Sequence, residues 1–317
     1  MFLAQVFKYK HDSWRYLIGG FIIFSASQLG QFPLIGAIMF KTLSEGGSIT
    51  DLEDTSKLMT VLDSNLTLFL MLLSFAIGLL GVYLVVKYLH NQPMLAVTTA
   101  RKKIDWGRFF FGFSLIAVTT TFFTGLDYYS NPEDFEMQFQ LVPFLILAAI
   151  SIILMPLQTS FEEYFFRGYL MQGIGAVAKN KWVPLLITSF VFGGLHFFNP
   201  EVEKLGNIVM IYYIGTGLFL GIITLMDDGL ELALGFHAGN NIFAALLVTA
   251  DWTVFQTNSV LKDISEPSAG IDVLGPVLII YPIFIAIMGY KYKWKDWQNK
   301  LFGKIEVPAN ETEEITL

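Results

Sequence analysis

The sequence predicts an all-α, polytopic membrane bundle of about eight transmembrane helices. Three observations carry that expectation. The 317 residues are 54% hydrophobic and only 15% charged, with a mean hydropathy of +0.56. Thirty Phe and thirteen Tyr exceed what one soluble core of this length needs. The charges sit in short islands between apolar runs of about 20 residues, the length that crosses a bilayer core as a helix.

The apolar runs are 15–41, 65–87, 108–127, 141–178, 182–198, 207–227, 229–250 and 271–291. Lysine and arginine orient them. Lys8, Lys10 and Arg15 precede the first run, and Lys87, Arg101, Lys102, Lys103 and Arg108 fill the second connection. Lys179 and Lys181 mark the hairpin after the fourth run, and Lys291, Lys293, Lys295, Lys300 and Lys304 follow the last. The alternate connections, Glu45 to Asp63, Asp127 to Glu136, Glu201 to Lys204 and Asp251 to Glu266, are acidic. Both termini are therefore expected on the cytoplasmic side of the cell (inner) membrane. One turn dissents: Asp227-Asp228-Gly229 belongs on that side yet has no positive charge.

The whole chain, 1–317, reads as one membrane domain without internal repeats. Runs one to three (15–127) and the last (271–291) hold almost no ionisable groups and read as scaffold. Residues 141–250 hold nearly all the buried ones and read as a catalytic core. Residues 305–317 are polar and acidic and read as a disordered tail. No removable signal peptide is evident at the N-terminus. The absence of cysteine excludes disulfides, a thiol nucleophile and thiolate metal sites. Membrane lipids are the expected surroundings, and no nucleic-acid partner is expected.

The segment Ser160-Phe161-Glu162-Glu163-Tyr164-Phe165-Phe166-Arg167 puts three charges inside an apolar run. One charge at bilayer depth costs at least ~2.5–3.5 kcal/mol, so such groups are paired or functional. Glu163 and Arg167 stand four apart with the acid first, the favourable order for a helical ion pair, and read as supporting residues. Glu162 faces elsewhere and lacks a partner on its own helix. His196 follows Phe192-Gly193-Gly194, where two glycines leave room one turn earlier, and His237 and Asn241 share a helix face. Read singly, each histidine could be a buried group bonded to a neighbouring helix.

Depth arithmetic brings them together. Glu162 lies 17 residues before Lys179 and His196 lies 15 after Lys181, roughly 25 and 22 Å at the helical rise. A hydrated pocket open to the cytoplasm is expected there. Burial makes a carboxylate a better base near neutral pH, a histidine can hold the attacking water, and His237 with Asn241 can donate to an oxyanion. Together these suggest acyl-group hydrolysis, most naturally of a peptide bond.

Glu-Glu-x-x-x-Arg (Glu162 to Arg167), Phe-x-x-x-His (Phe192 to His196) and His-x-x-x-Asn (His237 to Asn241), in this order on separate helices, resemble the three signatures of the CPBP family. That family comprises intramembrane endopeptidases of the CAAX prenyl protease type and bacteriocin-processing relatives. The resemblance covers about 160–250 and implies an eight-helix bundle and a glutamate-dependent protease. It implies that Glu162, with His196, activates water, that His237 and Asn241 form the oxyanion hole, and that Glu163, Arg167 and Phe192 support them. It also implies a peptide or protein substrate, lipidated in the eukaryotic relatives.

Three other readings use the same residues. A zinc protease could use two histidines and a carboxylate, but the His-Glu-x-x-His spacing is absent, so no cofactor is expected. A transporter or channel could relay protons through Glu and His, but matching repeats and broken helices are absent. A bacteriocin-immunity or other peptide-binding membrane protein would occupy the same pocket without cleaving.

Overall fold

A computed structural model describes residues 1–48 and 60–307. Most of the acidic connection between the first two runs, and residues 308–317 of the expected tail, lie outside the described residues. The long helices are α1 (Ser13–Ser44), α2 (Ser64–Leu89), α3 (Trp106–Ser130), α4 (Leu141–Ala178), α5 (Trp182–Gly194) and α6 (Val209–Asp227). They are followed by α7 (Glu231–Leu247) and α8 (Val273–Tyr292). The chain is a multi-pass helical membrane protein. Its outward faces are apolar, as at Leu17, Phe21, Phe122 and Leu278, which are all well exposed.

Among the described residues, six helices are long and apolar enough to cross a membrane: α1, α2, α3, α4, α6 and α8. The expectation of about eight therefore meets six by this measure. The fifth run ends early, because α5 stops at Gly194 and residues 195–198 form turns. The seventh is the polar one. From Glu231 to Gly239 every residue of α7 is buried, packed among α3, α4 and α6. A helix enclosed by protein need not present an apolar surface to lipid, so it can hold charged and amide side chains.

α7 packs most extensively on α3, a helix the sequence assigns to the scaffold. A Cβ at Gly235 would lie 1.9 Å from the Phe109 carbonyl oxygen, and one at Gly112 would lie 2.5 Å from that of Leu232. Only glycine lets these two backbones come so close, the small-residue packing used where no hydrophobic force drives helices together in lipid.

Helix ends are set by local chemistry. The Asp63 carboxylate accepts from the N–H groups of Asn65 and Leu66 at the start of α2. That of Asp105 accepts from Arg108 N at the start of α3. Each satisfies amides that have no partner within the helix. A small mixed sheet, in the order β1 (Phe135–Met137), β3 (Leu261–Asp263), β2 (Val248–Thr249), accompanies the helical bundle. It joins the connections at the acidic end of the bundle, where backbone leaving the helices needs new partners.

The opposite end gathers the Lys/Arg-rich connections, the N-terminus and residues up to Ile305. Phe2 N donates to Asp228 Oδ1 at 3.0 Å, and Ile305 N donates to the Lys179 carbonyl at 3.0 Å. Ile305 is 3% exposed and joins a core with Phe2, Leu3, Val6, Met171 and Leu185. Ile305, the first residue of the expected tail, is therefore part of the packed structure. The dissenting acidic turn is explained here too. Arg101 and Arg108 reach the Asp227 carboxylate at 2.7 and 2.8 Å, Arg101 also meets Glu231 at 3.0 Å, and Lys300 pairs with Asp228. The turn takes its positive charge from other connections.

Candidate active site

α4 departs from α geometry just after its two carboxylates. Tyr164–Leu170 is a π-helical stretch, the wider turn that recurs at functional sites. Glu162 and Glu163, side by side in sequence, both reach the same imidazole of α7. Oε1 of Glu163 is 2.8 Å from His237 Nδ1, and Oε2 of Glu162 is 3.4 Å from His237 Nε2. The two acids hold opposite edges of one ring.

Behind Glu163 stands Arg167. Its Nη1 donates to Glu163 Oε1 at 3.0 Å and its Nη2 donates to the Gly217 carbonyl at 3.2 Å. Both side chains are fully buried. The i, i+4 pair expected from sequence is present, but the separation from Glu162 is not, because His237 bridges the two. A hydrogen bond joins His237 Nδ1 to Glu163 at 2.8 Å, and the Nε2 contact with Glu162 is looser at 3.4 Å.

Phe192 links these groups to His196. The Arg167 guanidinium lies 4.3 Å from the centre of its ring. The ring centres of His196 and His237 lie 4.9 and 6.1 Å from it. Among the described residues no hydrogen bond or ion pair joins His196 to Glu162. The side chain that Glu162 meets directly is His237. His196 lies in the turn after α5, with N–H bonded to the Gly193 carbonyl at 3.0 Å and Nδ1 at 2.8 Å from the Phe192 carbonyl. A carbonyl only accepts, so Nδ1 carries a proton, and in the neutral ring the lone pair is on Nε2.

Asn241 is one turn along α7 from His237. Its Nδ2 donates to Gln158 Oε1 at 2.9 Å, and its Oδ1 accepts from Asn240 Nδ2 at 3.1 Å. Gln158 precedes Glu162 by four residues, so α4 and α7 are joined by two antiparallel rungs, Gln158–Asn241 and Glu162–His237. Sequence reasoning missed Gln158. Its signal was its place on the Glu162 face, one turn earlier, as an uncharged polar group inside an apolar run.

Glu162 is 9% exposed and His237 7%; His196 is half-buried and Gly194 and Leu195 beside it are exposed. A basin of about 970 Å³ lies elsewhere, between Leu95 and the turn from Arg101 to Trp106.

A family model described as type II CAAX prenyl endopeptidase Rce1-like matches residues 138–243, a range that encloses Glu162, His196, His237 and Asn241. The chain is also 31% identical over 243 residues to the uncharacterized protein YyaK of Bacillus subtilis (strain 168), covering 76% of this chain and 80% of that protein. No solved structure matches. With the two-rung contact of α4 and α7 inside the matched range, the chain belongs to the Rce1-like, CAAX-type family of membrane endopeptidases within the CPBP group.

Proposed function

We propose that this protein hydrolyses a peptide bond with a water molecule activated by Glu162. The observation that carries the reading is the unbroken line Arg167–Glu163–His237–Glu162, each contact between 2.8 and 3.4 Å. Glu163, neutralised by Arg167, accepts the His237 Nδ1 proton and so aims Nε2 at the reaction side. The Glu162 carboxylate takes a proton from water as that water attacks the scissile carbonyl, and later returns it to the leaving amine. The Nε2 lone pair of His196 accepts the water's other hydrogen and sets its direction.

In this reading His237 Nε2, when protonated, and Asn241 Nδ2 donate to the oxyanion of the tetrahedral intermediate. Such donors contribute most in a site that excludes bulk water. His237 is already held between two carboxylates, so the reading involves no metal, and strong chelators leave cleavage intact. The substrate is a membrane-associated peptide or protein, including one lipidated at a Cys-a-a-X terminus. The protein sits in the cell membrane with both termini cytoplasmic, which the basic connections favour.

The test is cleavage of an internally quenched peptide with a farnesylated Cys-a-a-X terminus by the full chain in liposomes. Wild type cleaves it and Glu162→Gln, folded and monodisperse, does not. Wild-type turnover in Glu162→Gln overturns the mechanism.

A further inference from the structure

His196 is not held by a helix. It lies two residues beyond the end of α5, where a side chain follows whatever direction its turn allows. Its direction is nevertheless defined from three sides. The Phe192 carbonyl takes Nδ1. The Phe192 ring lies tilted against the imidazole. The ring of Tyr213, from α6, stacks on it with centres 4.4 Å apart and planes 22° apart.

Tyr213 also reaches the turn itself. Its hydroxyl accepts from Asn199 Nδ2 at 3.3 Å, and Asn199 N donates to the His196 carbonyl at 3.0 Å. The far end of the same turn is tied down as well: Glu201 Oε1 accepts from Val254 N at 2.8 Å. One aromatic side chain thus touches both the imidazole and the side chain of Asn199 in the turn that bears it.

We propose that Tyr213 is a positioning residue for His196, its stacked ring fixing the plane in which Nε2 meets water. The proposal rests on the hydrolytic reading above. Stacking restricts rotation of the imidazole about its last torsion, which is broad for a histidine without neighbours. Nδ1 is already committed, so turning the ring would both break that bond and swing Nε2 away. A misplacement of about 1 Å is enough to reduce turnover by as much as 10²-fold.

Two measurements on the full chain in detergent test it. Diethyl pyrocarbonate labelling of His196, read by mass spectrometry, needs no substrate. It should rise several-fold in Tyr213→Leu, and in Tyr213→Met as a second apolar filling, while Tyr213→Phe labels like wild type. With the quenched farnesylated peptide, Tyr213→Leu and Tyr213→Met should lose at least ~10-fold in kcat with KM within about twofold, and Tyr213→Phe should keep at least about half of wild-type kcat by the same criterion. Unchanged labelling in both apolar variants overturns the proposal, as does kcat within twofold of wild type in them. Equal loss in Tyr213→Phe and Tyr213→Leu also overturns it, because the role would then belong to the hydroxyl. If wild type itself fails to cleave the peptide, the hydrolytic reading fails for that substrate, and labelling still decides whether Tyr213 orients His196.

Discussion

The imidazole of His237 stands between two acids that are neighbours in sequence, 2.8 Å from Glu163 on its Nδ1 edge and 3.4 Å from Glu162 on its Nε2 edge. Glu163 is therefore more than the partner of Arg167. Glu163→Gln keeps the shape but gives up the charge that orients the ring, so turnover should fall on the order of 10²–10⁴-fold in folded protein. Glu163→Ala also strands a fully buried Arg167, which destabilises by about 3–5 kcal/mol. Size-exclusion profiles beside kcat separate the two effects, and wild-type kcat in Glu163→Gln would return this residue to a purely structural role.

Asn241 should behave as a donor to the intermediate. Asn241→Ala is expected to reduce kcat on the order of 10²–10³-fold. Gln158→Leu frees the Asn241 amide from its 2.9 Å partner and should reduce kcat less than Asn241→Ala does. A Gln158→Leu loss larger than that of Asn241→Ala would mean that Gln158 itself meets the substrate.

The Arg101–Asp227–Arg108 cluster stabilises the basic end. The Asp227 side chain is 1% exposed, and its Oδ1 also accepts from Trp294 Nε1 at 3.1 Å. Asp227→Ala leaves two guanidinium groups without their shared acceptor. About 3–5 kcal/mol of stability should be lost, read as a fall in thermal midpoint in detergent. No change in midpoint would show that the cluster is solvated and interchangeable.

Two carboxyls outside the membrane should give stability opposite slopes with pH. Burial pushes Asp228 up, but Lys300, the Phe2 N–H and the N-terminal charge outweigh it and hold the carboxyl below its usual range. Its contribution is present above the ordinary Asp value and is lost as pH falls through the depressed one. Burial pushes Glu201 above the usual range despite its Val254 bond. Its contribution is full below the ordinary Glu value and is lost as pH rises through the elevated one. Lys300→Met should flatten the acid side of the stability profile and Glu201→Gln the side above it. Profiles that superimpose on wild type would refute both assignments.

Close approach of α3 and α7 should make Gly235 intolerant. In Gly235→Ala the new methyl meets the Phe109 carbonyl oxygen at 1.9 Å, whereas a Cβ at Gly194 meets nothing within 4 Å. Folded yield should collapse in the first variant and persist in Gly194→Ala. Equal yields would mean that the two helices can separate without unfolding.

Hydropathy and charge patterning alone determined that this chain crosses a membrane as helices, and the motifs from Glu162 to Asn241 alone marked its family and the groups worth locating. α4 runs over Leu141–Ala178 as the apolar run indicated, because length and apolarity are local properties that bilayer thickness selects. Tertiary structure decided the pairing. Helical periodicity put Glu162 and Glu163 on different faces, but the π-helical stretch after them and the approach of α7 bring both to one histidine. His196 was read as part of a helix, yet α5 ends at Gly194 and rings from Phe192 and Tyr213 place it instead. Asp227 looked unpaired because its arginines lie more than a hundred residues away in the chain. Spacing records which residues share a face within one helix; which faces meet, and at which edge of a ring, depends on contacts between segments that one-dimensional order does not contain.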